Sequence, residues 1–381
     1  MTDFIGRKLS PEIKNVLIST FIVTMVVGYL YWGKFSGNIT GFFRIGSVFS
    51  YLSPYLNPDQ ALIFKGEIGY DGQQFLSLAL DPGLQNPDTI TALDNPSYRY
   101  RRILYPLMGY VLGLGNPTLI PYAMVAINGV TILILVWVLS NYFKSYPQFQ
   151  SYPLFVLCIP GVWMVLSLST ADLLSNLFLV TAVYGYSQRE PPLTAIALGL
   201  GCLTRETILL IWIGIGVTSL WERRKEMVIP LILAPIPAVL WNLYVINQHL
   251  PGDPVISHHF GLPFLGILNK FASLFHNGLT SKNLFEGFLF GLLIAIAVSI
   301  FWYYRQNPLC NRAVYLCSLL VCTMLVFSRM TILSYYLDYS RVYMDLYFLF
   351  LLSLPVDAFF LKKGLFILSG IGSLAFLGLH S

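Results

Sequence analysis

Apolar residues along this chain are grouped in long runs that short polar links separate. Eleven of these runs suit helices that cross a bilayer, whose hydrocarbon core is about 30 Å thick and takes ~20 residues. The candidate spans are 14–33, 118–142, 152–168, 171–188, 193–203, 206–221, 227–247, 284–304, 313–330, 342–361 and 364–380. The pattern therefore predicts an all-α polytopic membrane protein with about 11 transmembrane helices, forming a single membrane domain over residues 1–381.

The composition agrees with this class of protein. Hydrophobic residues make up 56% of the chain and charged residues only 11%, whereas soluble domains have about 25% charged residues. The net charge of +5 is spread over many apolar segments, so no nucleic-acid partner is predicted. The five cysteines form no CxxC pair, which argues against a disulfide framework and against a zinc site.

Basic residues decide how the spans are threaded through the membrane. The apolar stretch 103–114 is too short to cross and is predicted to be a juxtamembrane helix in the interface. With that stretch left out and the N-terminus in the cytoplasm, every cytoplasmic link holds a basic residue, as the positive-inside rule expects. These residues are Arg7, Lys8 and Lys14, then Lys144, Arg189, Arg223 to Lys225, Arg305 with Arg312, and Lys362 with Lys363. The threading predicts a multi-pass protein of the cell membrane with extracytoplasmic loops at 34–117 and 248–283, and the first run as a signal anchor.

The same threading places many charged residues on the extracytoplasmic side. Charges at membrane depth are costly and usually mark a functional cavity. The residues concerned are Asp71, Arg99, Arg101, Arg102, Asp172, Arg205, Glu206, Arg329, Asp338 and Arg341. Because they share one side, we expect one functional site there.

The stretch Tyr70-Asp71-Gly72-Gln73-Gln74-Phe75 is the most informative part of the first loop. A carboxylate at Asp71, with Gln74 one helical turn further on the same face, could act as a general base. Burial and nearby arginines would then set its pKa. The alternative is that Asp71 caps a helix that begins at Gln73. The residues alone leave both interpretations open.

A basic aromatic stretch, Tyr98 to Pro106, follows in the same loop. If it is helical, Arg99 and Arg102 lie one turn apart and would present two guanidiniums to one anion, such as a phosphate. The alternative is an interfacial anchor, with tyrosines and arginines at headgroup level.

The other charged residues also have structural alternatives. Asp172 could cap the helix that it precedes. Arg205 and Glu206 could form an ion pair with each other within the bundle. Asp338 and Arg341 are three residues apart and could form a surface pair of little energetic value.

No metal or cofactor motif occurs in the sequence. The histidines of the second loop have no HExxH or similar spacing; they are His249, His258, His259 and His276. There is neither a P-loop nor a D-x-D pair, which argues against a nucleotide-dependent enzyme. We therefore predict no metal ligands and no cofactor.

These features resemble the GT-C superfamily of integral membrane glycosyltransferases. The stretch Tyr70 to Phe75 is similar to the (W/Y)DG-aromatic motif of the GPI-mannosyltransferase II type and its bacterial relatives. Arg99 to Pro106, Ser169 to Leu173 and Leu203 to Glu206 also resemble stretches of that family, although Arg205 stands where many relatives have a lysine. The likeness covers residues 14–247, and the remainder of the chain is only generically compatible.

The resemblance implies a transferase that moves a sugar from a polyprenyl-phosphate donor to a glycan, lipid or protein acceptor at the extracytoplasmic face, with inversion. Asp71 would be the catalytic base that deprotonates the acceptor hydroxyl. Arg99 and Arg102, with Arg205 or Arg341 in reserve, would stabilise the leaving phosphate, which positioned arginines can do without a metal. The other predicted substrate-binding residues are Tyr70, Gln74, Asp172 and Glu206.

Two other functions fit a polytopic chain with intramembrane charges. One is a transporter or flippase for a lipid-linked or small polar substrate, although no internal repeat is visible and the charges are grouped on one side. The other is a non-catalytic scaffold, for which Asp71 would be dispensable.

Overall fold

A computed structural model describes residues 9–48, 52–252, 259–276, 278, 280–306, 311–353 and 359–379. Helices account for 73% of the structure and strands for 2%, so the all-α class is confirmed. The helices of the first half are α1 (Pro11–Gly28), α2 (Asp71–Leu80), α3 (Pro87–Thr91), α4 (Pro96–Arg99), α5 (Leu104–Leu112), α6 (Ile120–Tyr142), α7 (Pro160–Leu168), α8 (Asp172–Ser187), α9 (Pro191–Thr204) and α10 (Ile208–Trp221). Those of the second half are α11 (Val228–Leu233), α12 (Ile236–Asn247), α13 (Leu265–His276), α14 (Ser281–Gln306), α15 (Arg312–Phe327), α16 (Met330–Leu333), α17 (Tyr336–Val342), α18 (Met344–Leu352) and α19 (Phe359–Leu379).

The remaining elements are short. A π-helical turn, Tyr29–Lys34, extends α1. Two strands, β1 (Ile45–Gly46) and β2 (Ile63–Phe64), pair in parallel within the first loop. The 3₁₀ helices are Ile39–Phe43, Pro147–Phe149, Tyr152–Cys158 and Lys225–Met227.

Among the described residues, five helical segments are long and apolar enough to cross a membrane. They are Pro11–Lys34, Ile120–Tyr142, Lys225–Asn247, Ser281–Trp302 and Phe360–Gly378. A sixth candidate, Pro147–Cys158 with Pro160–Leu168, is bent by 45° at its break. The chain therefore has the helices of a membrane protein, with fewer full-length candidates than the sequence pattern predicts.

The difference in number comes from short helices. All eleven predicted spans coincide with helical segments, but α8 has 16 residues and α9 and α10 have 14 each. At 1.5 Å per residue these helices are about 24 and 21 Å long, which is less than the ~30 Å core. Part of the predicted span 342–361 lies outside the described residues. The number eleven remains a prediction.

The first predicted loop folds into helices α2 to α5. The ambiguous stretch forms α5, which has only nine residues and packs against α2 and α6. With nine residues, α5 is too short to span a bilayer, as predicted. The second predicted loop contains α13, and its residues 253–258, 277 and 279 lie outside the described part of the chain.

A fully buried helix lies behind the charged residues of α17 and α8. All nine residues of α18 are buried, as expected for a helix whose residues other than Asp345 are hydrophobic. It packs against α8, α14 and α15, and α17 leads directly into it. Charged residues of α17 and of the start of α8 are thereby fixed against the same core.

Tight packing at Gly72 fixes the start of α2. A Cβ atom at Gly72 would clash with the carbonyl oxygen of Leu168 and lie 3.1 Å from Phe43 Cα. Leu168 is the last residue of α7, and Ser169 then takes a left-handed conformation with φ 45° before α8 begins. The glycine therefore allows α2 to approach the α7–α8 turn closely, which brings Asp71 next to Asp172.

We expect Gly72→Ala to lower the free energy of unfolding by about 1–3 kcal/mol, because backbone atoms must shift to admit the methyl group. The midpoint of thermal unfolding of the purified protein in detergent measures this change. Gly216→Ala in α10 is the matched control, since a Cβ there meets no atom within 4 Å. Equal midpoints for the two variants would contradict the close approach.

Candidate functional site

Asp71 is the first residue of α2 and makes two ion pairs. Its Oδ1 lies 2.8 Å from Nη2 of Arg99, and its Oδ2 lies 2.6 Å from Nη1 of Arg341. Tyr70 precedes the helix in an extended conformation, with no side-chain cap. The alternative in which Asp71 caps a helix beginning at Gln73 is therefore wrong. The carboxylate instead joins two guanidiniums from distant parts of the chain.

Arg99 is held by a second carboxylate that the sequence analysis missed. Its Nε and Nη2 donate to Oδ1 and Oδ2 of Asp94 at 2.8 and 2.7 Å, a bidentate geometry that fixes the guanidinium plane. The Asp94 backbone N–H in turn donates to Oε1 of Gln74 at 3.0 Å. Gln74 therefore supports the loop that carries Asp94.

Arg341 and Arg205 share Asp172 at the start of α8. Nη1 of Arg341 lies 3.3 Å from Asp172 Oδ2, and Nη1 of Arg205 lies 2.6 Å from Asp172 Oδ1. The Thr170 hydroxyl donates to Oδ2 at 2.6 Å. Asp172 is the first helical residue and makes no helix cap, contrary to the alternative considered for it. All three charged side chains are at least 90% buried.

Glu206 pairs with Arg102, so the alternative of an Arg205–Glu206 pair is wrong. Arg102 Nε donates to Glu206 Oε2 at 3.0 Å, and the Arg102 guanidinium lies 4.4 Å from the centre of the Tyr98 ring. Helix α4 ends at Arg99, and the Arg102 N–H donates to the Arg99 carbonyl at 3.2 Å, so one hydrogen-bonded turn beyond the helix joins the two residues. Their guanidiniums pair with different carboxylates, although both residues line the same cavity.

Asp338 on α17 completes the cluster. The Tyr70 hydroxyl donates to Asp338 Oδ1 at 2.5 Å, and the Arg341 guanidinium lies 4.9 Å from the centre of the Tyr70 ring. Arg341 Nη2 is 3.9 Å from Asp338 Oδ1, and the side chain of Arg341 is only 8% exposed. These two residues thus belong to a buried network and do not form the surface pair considered as their alternative.

The ionisation of the two aspartates differs. Burial by itself raises the pKa of Asp71, but the guanidiniums of Arg341 and Arg99 outweigh it and hold the pKa well below its usual range. Burial raises the pKa of Asp338, and Arg341 and the Tyr70 hydroxyl oppose it only in part. Asp71 is therefore firmly held as an anion, whereas Asp338 accepts a proton more readily.

A cavity of about 630 Å³ lies beside this cluster, and its lining combines two kinds of residue. The charged lining residues are Asp71, Arg99, Arg102, Asp172, Arg205, Glu206, Asp338 and Arg341. The apolar lining residues come from α10, α15 and α16 and include Leu209, Leu210, Leu320, Met324, Phe327 and Ile332. Leu209 and Phe327 are also partly exposed on the protein surface.

The segment 259–264 lies against the last residues of α15, and its Phe260 lines the cavity. Phe260 forms an antiparallel bridge with Ser328, and the Gly261 N–H donates to the Phe327 carbonyl at 2.8 Å. His259 also lines the cavity, whereas His258 lies outside the described residues. Within the described ranges no group of three or more potential ligands could hold a metal ion.

Most of the predicted site residues thus lie together. Four of the described residues that the sequence analysis placed at the site do not line the cavity, namely Tyr70, Gln74, Arg101 and Arg329. Tyr70 and Gln74 instead support Asp338 and the loop of Asp94. The sequence reasoning missed Asp94 and Asp345, named Tyr98 only as part of the basic aromatic stretch, and left Asp338 without a role. Asp345 is fully buried one turn after Arg341, and an acidic residue inside an apolar run is the signal that identifies it.

Comparison of the chain with protein-family models, curated proteins and solved structures gives no match. The site is therefore interpreted from its own geometry.

We expect Arg341→Gln to lower the free energy of unfolding by about 3–5 kcal/mol, because two buried carboxylates lose a shared cation. Thermal unfolding in detergent measures the loss. Arg329→Gln is the matched control, because Arg329 is exposed and lies outside the ion pairs of the cluster. Adding Asp71→Asn to Arg341→Gln should restore part of the stability. Equal unfolding of Arg341→Gln and the control would show that the network does not stabilise the fold.

Proposed function

We propose that the protein transfers a sugar from a polyprenyl-phosphate-linked donor to an acceptor hydroxyl. The observation that carries this proposal is a cavity whose lining combines a buried arginine cluster with apolar residues of three helices. A polyprenyl-phosphate sugar has matching chemistry, with a charged phosphate and a polar sugar at one end and a long hydrocarbon chain at the other. The resemblance to the GT-C superfamily points to the same class of donor.

The arginines can receive the phosphate because they retain unused hydrogen-bond donors. Nε of Arg205 and Nε of Arg341 are buried and have no hydrogen-bond partner among the described residues. Buried polar groups in native proteins are usually satisfied, so unsatisfied donors beside a cavity favour a polar ligand. Guanidiniums also suit phosphate, because their planar donors match its oxygens.

The transfer requires few groups. The acceptor oxygen attacks the anomeric carbon from the side opposite to the phosphate, a carboxylate takes the acceptor proton, and the bond to the phosphate breaks with its electrons kept by the phosphate. The resemblance gives Asp71 the role of the base. The arginine cluster would stabilise the charge that develops on the leaving phosphate, where preorganised donors are most effective. Asp172 and Glu206 would bind sugar hydroxyls or orient the arginines.

The membrane arrangement forms part of the proposal. We place the N-terminus in the cytoplasm, eleven spans in the cell membrane, and the cavity at the extracytoplasmic face. Helix α8 begins at the charged cluster with Asp172, α9 ends just before Arg205, and α10 begins just after Glu206. Short helices that stop within a membrane are tolerated where they line a polar cavity. Membrane lipids, the lipid-linked donor and a glycan, lipid or protein acceptor are the proposed partners.

The first test uses the full chain in nanodiscs with a panel of radiolabelled polyprenyl-phosphate sugars and scores both binding and release or transfer of the sugar. We expect the wild type to consume one donor. The role that the resemblance gives to Asp71 implies that Asp71→Asn reduces the turnover at least ~100-fold, the usual effect of losing a general base. Asp59→Asn is the matched control, because Asp59 is an exposed residue of the same loop.

Two results would overturn the proposal. One is a folded wild-type protein that neither binds nor consumes any donor of the panel. The other is movement of an intact labelled donor across proteoliposomes without sugar release, which would favour the transporter or flippase. Full activity of Asp71→Asn would remove the role that the resemblance gives to Asp71.

A further inference from the structure

We propose that Asp338, in place of Asp71, takes the proton of the acceptor hydroxyl, and that Asp71 fixes the two arginines that face the leaving phosphate. This inference rests on the proposed sugar transfer. It divides between two carboxylates the roles that the sequence resemblance assigns to one.

The surroundings of Asp71 suit a residue that holds arginines in place. Each of its oxygens is in contact with a guanidinium, Arg99 at 2.8 Å and Arg341 at 2.6 Å. Its side chain is 18% exposed. A carboxylate that two cations stabilise as an anion is a weak proton acceptor, because base strength falls with the pKa. Protonating Asp71 would also leave two buried guanidiniums short of a counter-charge.

The surroundings of Asp338 suit a base. It lines the same cavity, and its side chain is 30% exposed. Its Oδ1 accepts the Tyr70 hydroxyl, while no hydrogen bond to Oδ2 is found within the described parts of the chain. The nearest guanidinium contact, to Arg341, is 3.9 Å long. Tyr70 thus orients one oxygen, and the other has no hydrogen bond within the described residues, on a side chain that lines the cavity.

Burial strengthens the basicity of Asp338. Burial is the main influence that favours the protonated form, and the negative charges of Asp71 and Asp172 add to it, whereas Arg341 of the same helix and the Tyr70 hydroxyl favour the anion. The pKa of Asp338 is raised as a result, which makes it a better proton acceptor than an ordinary aspartate.

The proposed transfer conserves protons and electrons. The acceptor O–H bond breaks, and its proton moves to Oδ2 of Asp338. The acceptor oxygen forms the new bond to the anomeric carbon. The bond between that carbon and the phosphate oxygen breaks, and its electron pair stays on the phosphate, which faces the arginines that Asp71 holds. Tyr70 acts as a positioning residue because it contacts Asp338 and is not among the residues that line the cavity.

The test compares Asp338→Asn, Asp71→Asn and the control Asp59→Asn in nanodiscs, with the donor that the wild type consumes. Donor binding, kcat and KM are measured for each protein. We expect Asp338→Asn to bind the donor within about threefold of the wild type while its kcat falls by about 10²–10⁴. We expect Asp71→Asn to weaken donor binding more than ~10-fold, because Arg99 and Arg341 lose their shared partner.

The pH profile of kcat gives a readout that a merely structural role would not move. The hydrogen bond from Tyr70 lowers the pKa of Asp338, so Tyr70→Phe should raise it and shift the acidic limb of kcat to higher pH. Asp71→Asn should keep an acidic limb, because the base is still present. Tyr70→Phe leaves every charge in place, so it keeps the inference testable if Asp338→Asn fails to fold.

The possible results are distinct. A kcat of Asp338→Asn within a few-fold of that of an active wild type would overturn the inference and leave the proposed transfer intact. Tight donor binding with lost turnover in Asp71→Asn, together with an unshifted limb in Tyr70→Phe, would return the base role to Asp71. A wild type that consumes no donor would overturn the proposed function itself.

Discussion

The burial of the Arg341 guanidinium is the constraint on which the part of the protein around the cavity depends. A buried charge without partners costs several kcal/mol, so the fold must bring carboxylates to it. Asp71 comes from α2 and Asp172 from α8, and both reach Arg341 on α17. One cation thereby joins the first loop, the middle of the chain and the last third, and the cavity lies beside this junction.

The site combines charged and apolar surroundings in one cavity. Four arginines form ion pairs with five carboxylates, so the cluster is nearly neutral without a ligand. The apolar lining consists of leucine, isoleucine, methionine and phenylalanine side chains that need no partner. An entering anion therefore relies on the guanidinium donors that the carboxylates leave unused, which favours ligands that also contact the apolar lining.

The sequence was sufficient for the helical class and for the common location of the charges, but not for their partners. Apolar runs predict helices because every backbone group in a bilayer must be satisfied internally. Adjacency in sequence does not predict the ion pairs, because Arg205 pairs with Asp172 and the adjacent Glu206 pairs with Arg102. The contact between Tyr70 and Asp338 joins residues 268 positions apart and depends on how α17 packs on α7 and α14. No local pattern contains that information.

The order in which the chain is synthesised has a consequence for this network. At ~5–20 residues per second, the 268 positions between Tyr70 and Asp338 take on the order of tens of seconds to translate. During that interval the carboxylates of Asp71 and Asp172 emerge long before Arg341. Each has an earlier cationic partner, Arg99 for Asp71 and Arg205 for Asp172. The nascent protein can therefore build two separately neutralised half-sites, which the arrival of Arg341 joins into one.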